Sequence, residues 1–137
     1  MSQPLDLTSF AKAIQRLAEG LARYQADISD TQIRDGLIQR FEFTYEISHK
    51  TLKRFLESVS ANRAEFDAMP FADLIRTANE QGLLIGTWHD WKRYREMRAS
   101  TSHAYDEEVA LGLVEGIPAF LAEVEFLLQQ LQGRNVG

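Results

Sequence analysis

This sequence predicts an all-α fold, an antiparallel up-and-down four-helix bundle with one additional short helix. Three observations carry that expectation. Apolar residues recur at spacings of three and four in almost every segment, as a helix with one buried face requires. No run of four or more residues alternates cleanly between apolar and polar, so no strand is predicted. Residues that start and stop helices leave only short connections between segments, and short connections make neighbouring helices antiparallel.

Phe10, Ile14, Leu17 and Leu21 define a first helix from about Thr8 to Ala26, with Thr8 as the expected cap. Asp30 caps a long second helix that runs to about Ser58 and turns Leu37, Phe41, Tyr45, Leu52 and Phe55 inward. A polar break, SANRAEFDAM, follows. Pro70 stands where a first-turn proline belongs, and Phe71, Leu74, Ile75 and Ala78 make a short third helix that Gly82 stops. The fourth helix spans about Thr87 to Thr101. The fifth starts at Asp106, where Glu107 and Glu108 suit the positive end of a helix dipole, and closes at Gly133. Pro118 removes one backbone donor from it, but the apolar spacing continues past the proline, so a kink is expected rather than an end.

At 137 residues and 45% hydrophobic, the chain suits a single helical domain over 1–137 with a real core. It has no cysteine, so neither a disulfide framework nor a thiolate metal site is available. The start MSQPLDLTSFAKAI lacks a basic stretch followed by an apolar run, and no apolar segment approaches the roughly 20 residues that span a bilayer. A soluble, cytoplasmic protein with no membrane partner is expected. The net charge of −5 argues against general nucleic-acid binding by bulk electrostatics. The charge is uneven, however. Lys92, Arg93, Arg95 and Arg98 crowd one segment against Glu96 alone, whereas Asp106 to Gly133 holds six acids and no Lys or Arg. Such a cationic strip fits a phosphate group, an acidic partner or an ordinary solvated helix face.

The least easily explained stretch is MRASTSHAYDEE, residues 97–108, between two hydrophobic segments. Trp88, Trp91, Arg95, Arg98 and Ser102 follow three-four-three-four spacing, so on one helix they share a stripe that opens aromatic and turns cationic. Its arginines are expected to stack over the rings, to enter a shared cleft, or to pair with acids of a neighbouring helix. Glu42 and Glu46, one turn apart on the second helix, are the acids expected to answer Arg95 or Arg98. Arg98 and His103 are five residues apart, about 140° on a continuous helix. Their cooperation therefore needs the helix to end between them or a second copy of the chain to supply one of them. The hydroxyls of Ser100, Thr101 and Ser102 favour such an ending by bonding their own backbone. A two-fold dimer would bring two Arg and two His to one composite cleft.

Two segments, DGLIQRFEFTYEISHKTLKRFLE (Asp35 to Glu57) and the region from Gly82 to Glu108 with its Arg-x4-His-x-Tyr motif, resemble the HEPN superfamily. Within it they are most similar to the nucleotidyltransferase substrate-binding group, whose members are encoded beside a minimal nucleotidyltransferase. The resemblance covers nearly the whole chain in helix order. It implies an antiparallel bundle, usually a homodimer, with Arg and His facing across the dimer axis. In catalytic members these residues cleave RNA without a metal. Paired systems of this kind are often toxin–antitoxin modules, in which the nucleotidyltransferase neutralises the HEPN toxin by transferring AMP to the motif tyrosine. Carried over by motif, the catalytic roles fall to Arg98 and His103, and the adenylylated residue is Tyr105. Arg95, Ser100 and Ser102 are candidate substrate-binding residues for RNA or a nucleotide. The motif departs from the family at Ala99, where members commonly carry Asn or another polar residue.

The chemistry suits those residues. Metal-free cleavage of RNA needs the 2′-hydroxyl deprotonated and the growing phosphate charge stabilised. An imidazole that titrates at about 6.5 when unperturbed serves as general base or acid, and a guanidinium pairs with phosphate oxygens in bidentate fashion. A nucleotide on Tyr105, two residues from His103, would obstruct the same cleft. His49, at helical spacing from Tyr45 and Leu52, reads as a bundle histidine, and His89 as an exposed one. The three histidines lack metal-ligand spacing, so no metal is expected. No Gly-rich loop precedes a helix in phosphate-binding form, so no nucleotide cofactor is expected either. Three functions stay open: a ribonuclease toxin, a noncatalytic nucleotide- or substrate-binding subunit of a nucleotidyltransferase complex, and a dimeric helical interaction protein.

Overall fold

The computed structural model describes residues 5–134. Among them are five α-helices: α1 (Thr8–Ala26), α2 (Thr31–Val59), α3 (Phe71–Glu80), α4 (Trp88–Ser100) and α5 (Glu107–Arg134). Short 3-10 turns lie at Arg63–Phe66 and Thr101–His103, and no strand occurs among the described residues. The four long helices form an antiparallel up-and-down bundle, with the short α3 packed across the end where α2 finishes and α4 begins. Among the described residues no helix is long and apolar enough to cross a membrane.

The helix ends show which side chains do the capping. At α1 the sequence pointed to Thr8, but the carboxylate of Asp6 accepts from the Thr8 N–H at 2.9 Å. A carboxylate two residues upstream reaches the free amides better than a hydroxyl already inside the first turn. At α2 the expected cap holds: Asp30 accepts from the N–H groups of Gln32 and Ile33 at 3.0 and 3.1 Å. Pro70 flanks α3 rather than lying inside its first turn, and Phe71 is the first helical residue. Gly82 follows α3 at a φ of 75°, a left-handed turn that glycine adopts without steric cost. At α4 the Thr87 N–H donates to Asp90 at 3.0 Å. Asp106 caps α5 through the amides of Glu108 and Val109 at 2.9 and 3.2 Å. α5 runs through Pro118 without interruption.

The core is built from the predicted faces, with Leu17, Phe41, Trp91, Ile117 and Phe120 each at most 1% exposed. Phe120 lies edge-on to Phe41 at 4.9 Å and to Tyr94 at 5.2 Å, so it joins α2, α4 and α5 through one ring. Within the polar break, Phe66 is 4% exposed and anchors the connection between α2 and α3 in the core. Burial pushes the Tyr45 and Tyr94 hydroxyls up to about 12, so neither phenol ionises near neutral pH. α4 and α5 pack closely at Gly116, where an added Cβ would stand 2.6 Å from the Met97 methyl.

One buried carboxylate fixes the start of α4. Glu123, 2% exposed, accepts from the Ile85 and Gly86 amides at 2.7 and 2.8 Å and from the Trp91 indole N–H at 2.8 Å. Its oxygens are satisfied by three N–H donors rather than by a cation. Glu123→Ala leaves the buried Trp91 indole N–H without a partner and hands the two part-buried amides to water, so urea denaturation should show a loss of about 2–4 kcal/mol.

Candidate functional site

The site lies at the far end of α4, where the chain leaves the helix and turns into α5. The i, i+4 spacing of Glu42 and Glu46 puts both carboxylates on one face of α2, opposite Arg98. Arg98 Nε and Nη2 donate to the same oxygen of Glu46 at 2.9 and 2.6 Å, and Nη2 lies 3.5 Å from Glu42. Nη1 reaches the Thr101 hydroxyl at 3.4 Å. The anticipated pairing of Arg98 with Glu42 and Glu46 is therefore formed, about one-third exposed rather than sealed in the core.

Beyond Ser100 the helix tightens into the 3-10 turn, driven by its hydroxyls. Ser100 donates to the Glu96 carbonyl at 3.0 Å, Thr101 to Arg98 at 2.8 Å and Ser102 to Ala99 at 3.5 Å. The two serine hydroxyls are thus committed to the backbone, and Ser102 leaves the stripe that ideal helical spacing assigned to it. The helix does end between Arg98 and His103, yet three residues at three per turn move His103 to about 160° from Arg98. Arg98 turns toward α2, and His103 faces solvent.

Tyr105 follows on the short connection, 87% exposed, with its ring 6.1 Å from that of His103. It lines a groove of about 280 Å³ with Asp35, Gln39, Glu42 and Thr101. A second groove, of about 570 Å³, runs along α2 beside Arg98 and shares Gln39 and Glu42 with the first. Gln39 and Glu42 are therefore common walls of the groove beside Arg98 and the groove beside the tyrosine. The pair of Arg34 with Glu107 at 2.7 Å was not foreseen in the sequence. Arg34 is 7% exposed and ties the start of α2 to the start of α5, fixing the segment that carries Tyr105. No sequence signal marks Arg34, because its partner lies 73 residues away.

Arg95 departs from two expectations. It makes no ion pair among the described residues, and its guanidinium carbon lies 5.7 Å over the ring of Phe71 rather than over a tryptophan. Trp91 is fully buried and offers the guanidinium no face, whereas Phe71 of α3 is half-buried. His49 also contacts Phe71, at 4.5 Å between ring centres. Burial, together with nearby Lys53 and Arg95, holds the His49 imidazole below its usual range. The unfolded chain then binds this proton more readily than the folded one, so this contribution to stability is present at neutral pH. It is lost as pH falls through about 6.5. Thermal melts at pH 7.5 and 5.5 should show a drop that His49→Gln reduces. His89 is exposed, and among the described residues no group of three or more His, Cys, Asp and Glu could hold a metal.

Residues 5–133 match the family described as nucleotidyltransferase substrate binding protein like. The chain is 45% identical over 108 residues to a Haemophilus influenzae protein named probable ribonuclease HepT, a match spanning 79% of this chain and 73% of that one. Among solved structures it is similar to one from Haemophilus influenzae described as revealing the fold of a substrate binding domain of a nucleotidyltransferase. The TM-score is 0.86 at 35% identity, over 93% of this chain and 99% of that one. A Thermus thermophilus crystal structure matches with a TM-score of 0.71 at 27% identity, over 89% of this chain and 98% of that one.

Proposed function

This chain belongs to the family of nucleotidyltransferase substrate binding proteins within the HEPN group, and on that premise we propose that it is the toxin of a two-component module. In this reading it cleaves RNA without a metal through Arg98 and His103, acts as a cytoplasmic homodimer, and is neutralised when a minimal nucleotidyltransferase adenylylates Tyr105. The observation that carries the proposal is the exposed Tyr105, whose ring is 6.1 Å from that of His103 and whose groove shares Gln39 and Glu42 with the groove beside Arg98.

The steps are simple. His103 takes the proton of a ribose 2′-hydroxyl, whose oxygen attacks the adjacent phosphorus. The bond to the 5′-oxygen breaks, a protonated imidazole returns a proton to that leaving group, and a 2′,3′-cyclic phosphate remains. Arg98 bears the charge that grows on the non-bridging oxygens. Because Arg98 and His103 diverge within one chain, the histidine acting with a given arginine comes from a second copy. In neutralisation, the Tyr105 oxygen attacks the α-phosphorus of ATP, pyrophosphate departs, and the tyrosine proton passes to solvent or a base of the transferase. The added nucleotide then fills the groove that Tyr105 lines.

A second reading, a noncatalytic nucleotide- or substrate-binding subunit, is favoured by one observation: two carboxylates already occupy Arg98. Purified protein incubated with labelled RNA separates the two, since cleavage supports the toxin and intact RNA supports the binding subunit. On the toxin reading, Glu46 competes with phosphate for the guanidinium. Glu46→Gln in a His103→Ala background should tighten binding of single-stranded RNA by up to about fivefold, the scale of one partly exposed ion pair. Fluorescence anisotropy measures it, and unchanged or weaker binding counts against the competition.

A further inference from the structure

A pocket of about 320 Å³ is lined by Arg76, Asn79 and Glu80 of α3 and by Thr87, Trp88 and His89 at the start of α4. It shares no residue with the grooves beside Arg98 and Tyr105, which lie at the other end of α4. Trp88 is half-buried and meets Phe71 edge-on at 5.7 Å between ring centres, a contact that steadies the indole without covering it. Arg76 and His89 are exposed. Glu80 is the one carboxylate of the lining. A carboxylate repels a phosphate but accepts from the exocyclic amino group of a base, and an indole offers a base its face. The chemistry of this pocket is therefore that of a nucleobase site.

Trp88 also heads a cationic stripe. Lys92, Arg95 and Arg98 follow it at spacings of four, three and three along one side of α4. Lys92 and Arg95 are exposed, and neither forms an ion pair among the described residues. Arg95 is nonetheless held in place, because its guanidinium carbon lies 5.7 Å over the ring of Phe71, the same ring that Trp88 meets. The two acids of α4 do not neutralise this stripe. Asp90 accepts from the Thr87 N–H at 3.0 Å, and Glu96 lies about 100° round the helix from Arg95. Unpaired cations in line between an aromatic pocket and Arg98 form the pattern of a surface that tracks single-stranded nucleic acid.

We propose that the pocket beside Trp88 anchors one base of a single-stranded RNA whose cleaved phosphate lies at Arg98, with Lys92 and Arg95 on the phosphates between them. Ten residues of α4 separate Trp88 from Arg98, about 15 Å of helix, a distance that a strand of a few nucleotides spans. The base stacks on the indole and gives its amino group to Glu80, while Arg76 and His89 serve the phosphate beside it. A dinucleotide cut at Arg98 leaves the pocket empty, so the site favours longer strands. Duplex RNA is excluded, because pairing and stacking hide the edge and the face that the pocket reads. This anchor presupposes RNA as the substrate of Arg98 and His103, and extends that reading to the course of the strand and the hold on its far base.

The chain has two tryptophans and Trp91 is fully buried, so a ligand that stacks on Trp88 is read in the fluorescence. An octanucleotide with 2′-O-methyl riboses, which lacks the attacking hydroxyl, should quench the emission of the full chain, and a dinucleotide should not. Trp88→Ala should weaken octanucleotide binding by about tenfold relative to the dinucleotide, the scale of one base–aromatic stack. Arg76→Ala combined with His89→Ala, at exposed positions that leave the core intact, should act in the same direction. Arg95→Ala should lower the salt dependence of octanucleotide binding by about one phosphate. A parent that cleaves RNA without quenching, and whose variants treat both lengths alike, overturns the anchor and leaves the nuclease standing. Quenching without cleavage supports the anchor and overturns the nuclease. A parent that neither binds nor cleaves RNA overturns both. Loss of the nucleotidyltransferase in the Trp88 and Arg95 variants, with RNA binding intact, gives the surface to a protein and overturns the anchor.

Discussion

His103→Ala should slow RNA cleavage by about 10²–10⁴-fold, the usual contribution of a positioned general acid–base group. Folding should be unaffected. His103 is exposed, and its ring meets that of Tyr105 at 6.1 Å, so removing the imidazole forfeits little packing. Single-turnover cleavage of end-labelled RNA measures the rate, and a circular dichroism melt checks the fold. Arg98→Lys should fall comparably, because an ammonium keeps the charge but loses the planar fork that binds two phosphate oxygens. Cleavage at the parent rate in clean His103→Ala protein would sink the catalytic assignment. The binding-subunit reading is favoured by a different result, intact RNA with the parent protein.

Tyr105→Phe should abolish nucleotide transfer while leaving RNA cleavage close to the parent rate. The reason is positional. At 87% exposure Tyr105 contributes little to the core, and its hydroxyl is the one atom a nucleotidyltransferase needs. Tyr45 and Tyr94 are no substitutes, since both are at most 6% exposed and held protonated by burial. Intact-mass spectrometry after incubation with the nucleotidyltransferase and ATP should show AMP additions on the parent and none on the variant. In cells, co-expression of the transferase should rescue growth from the parent but not from Tyr105→Phe. Modification that persists in the variant moves the acceptor elsewhere.

Helix positions were legible because the signals behind them are local. Asp30 and Asp106 cap through amides two and three residues away, and such a spacing is visible in any sequence. The cap of α1 was misassigned for the same local reason: Thr8 and Asp6 both have the chemistry, and only geometry chooses between them. Phe66 shows the opposite failure. A single aromatic in a polar stretch has no periodicity, so its burial depended on where the 3-10 turn at Arg63–Phe66 aimed it. At the candidate site, the pairing of Arg98 with Glu42 and Glu46 was foreseeable from two helical faces. The stacking of Arg95 over Phe71 was not, because it required knowing that α3 crosses beside α4.

By itself the sequence determined the helices, their order and the motif of Arg98, His103 and Tyr105, since hydrophobic period, capping chemistry and motif spacing are written within a few residues of one another. Only the tertiary structure decided that Arg98 turns inward to α2 while His103 faces solvent, that Glu123 anchors the start of α4, and that Phe43 is left uncovered. Those outcomes follow from how helices distant in the chain pack. The side chains concerned meet partners dozens of residues away, or none, and no local pattern encodes that.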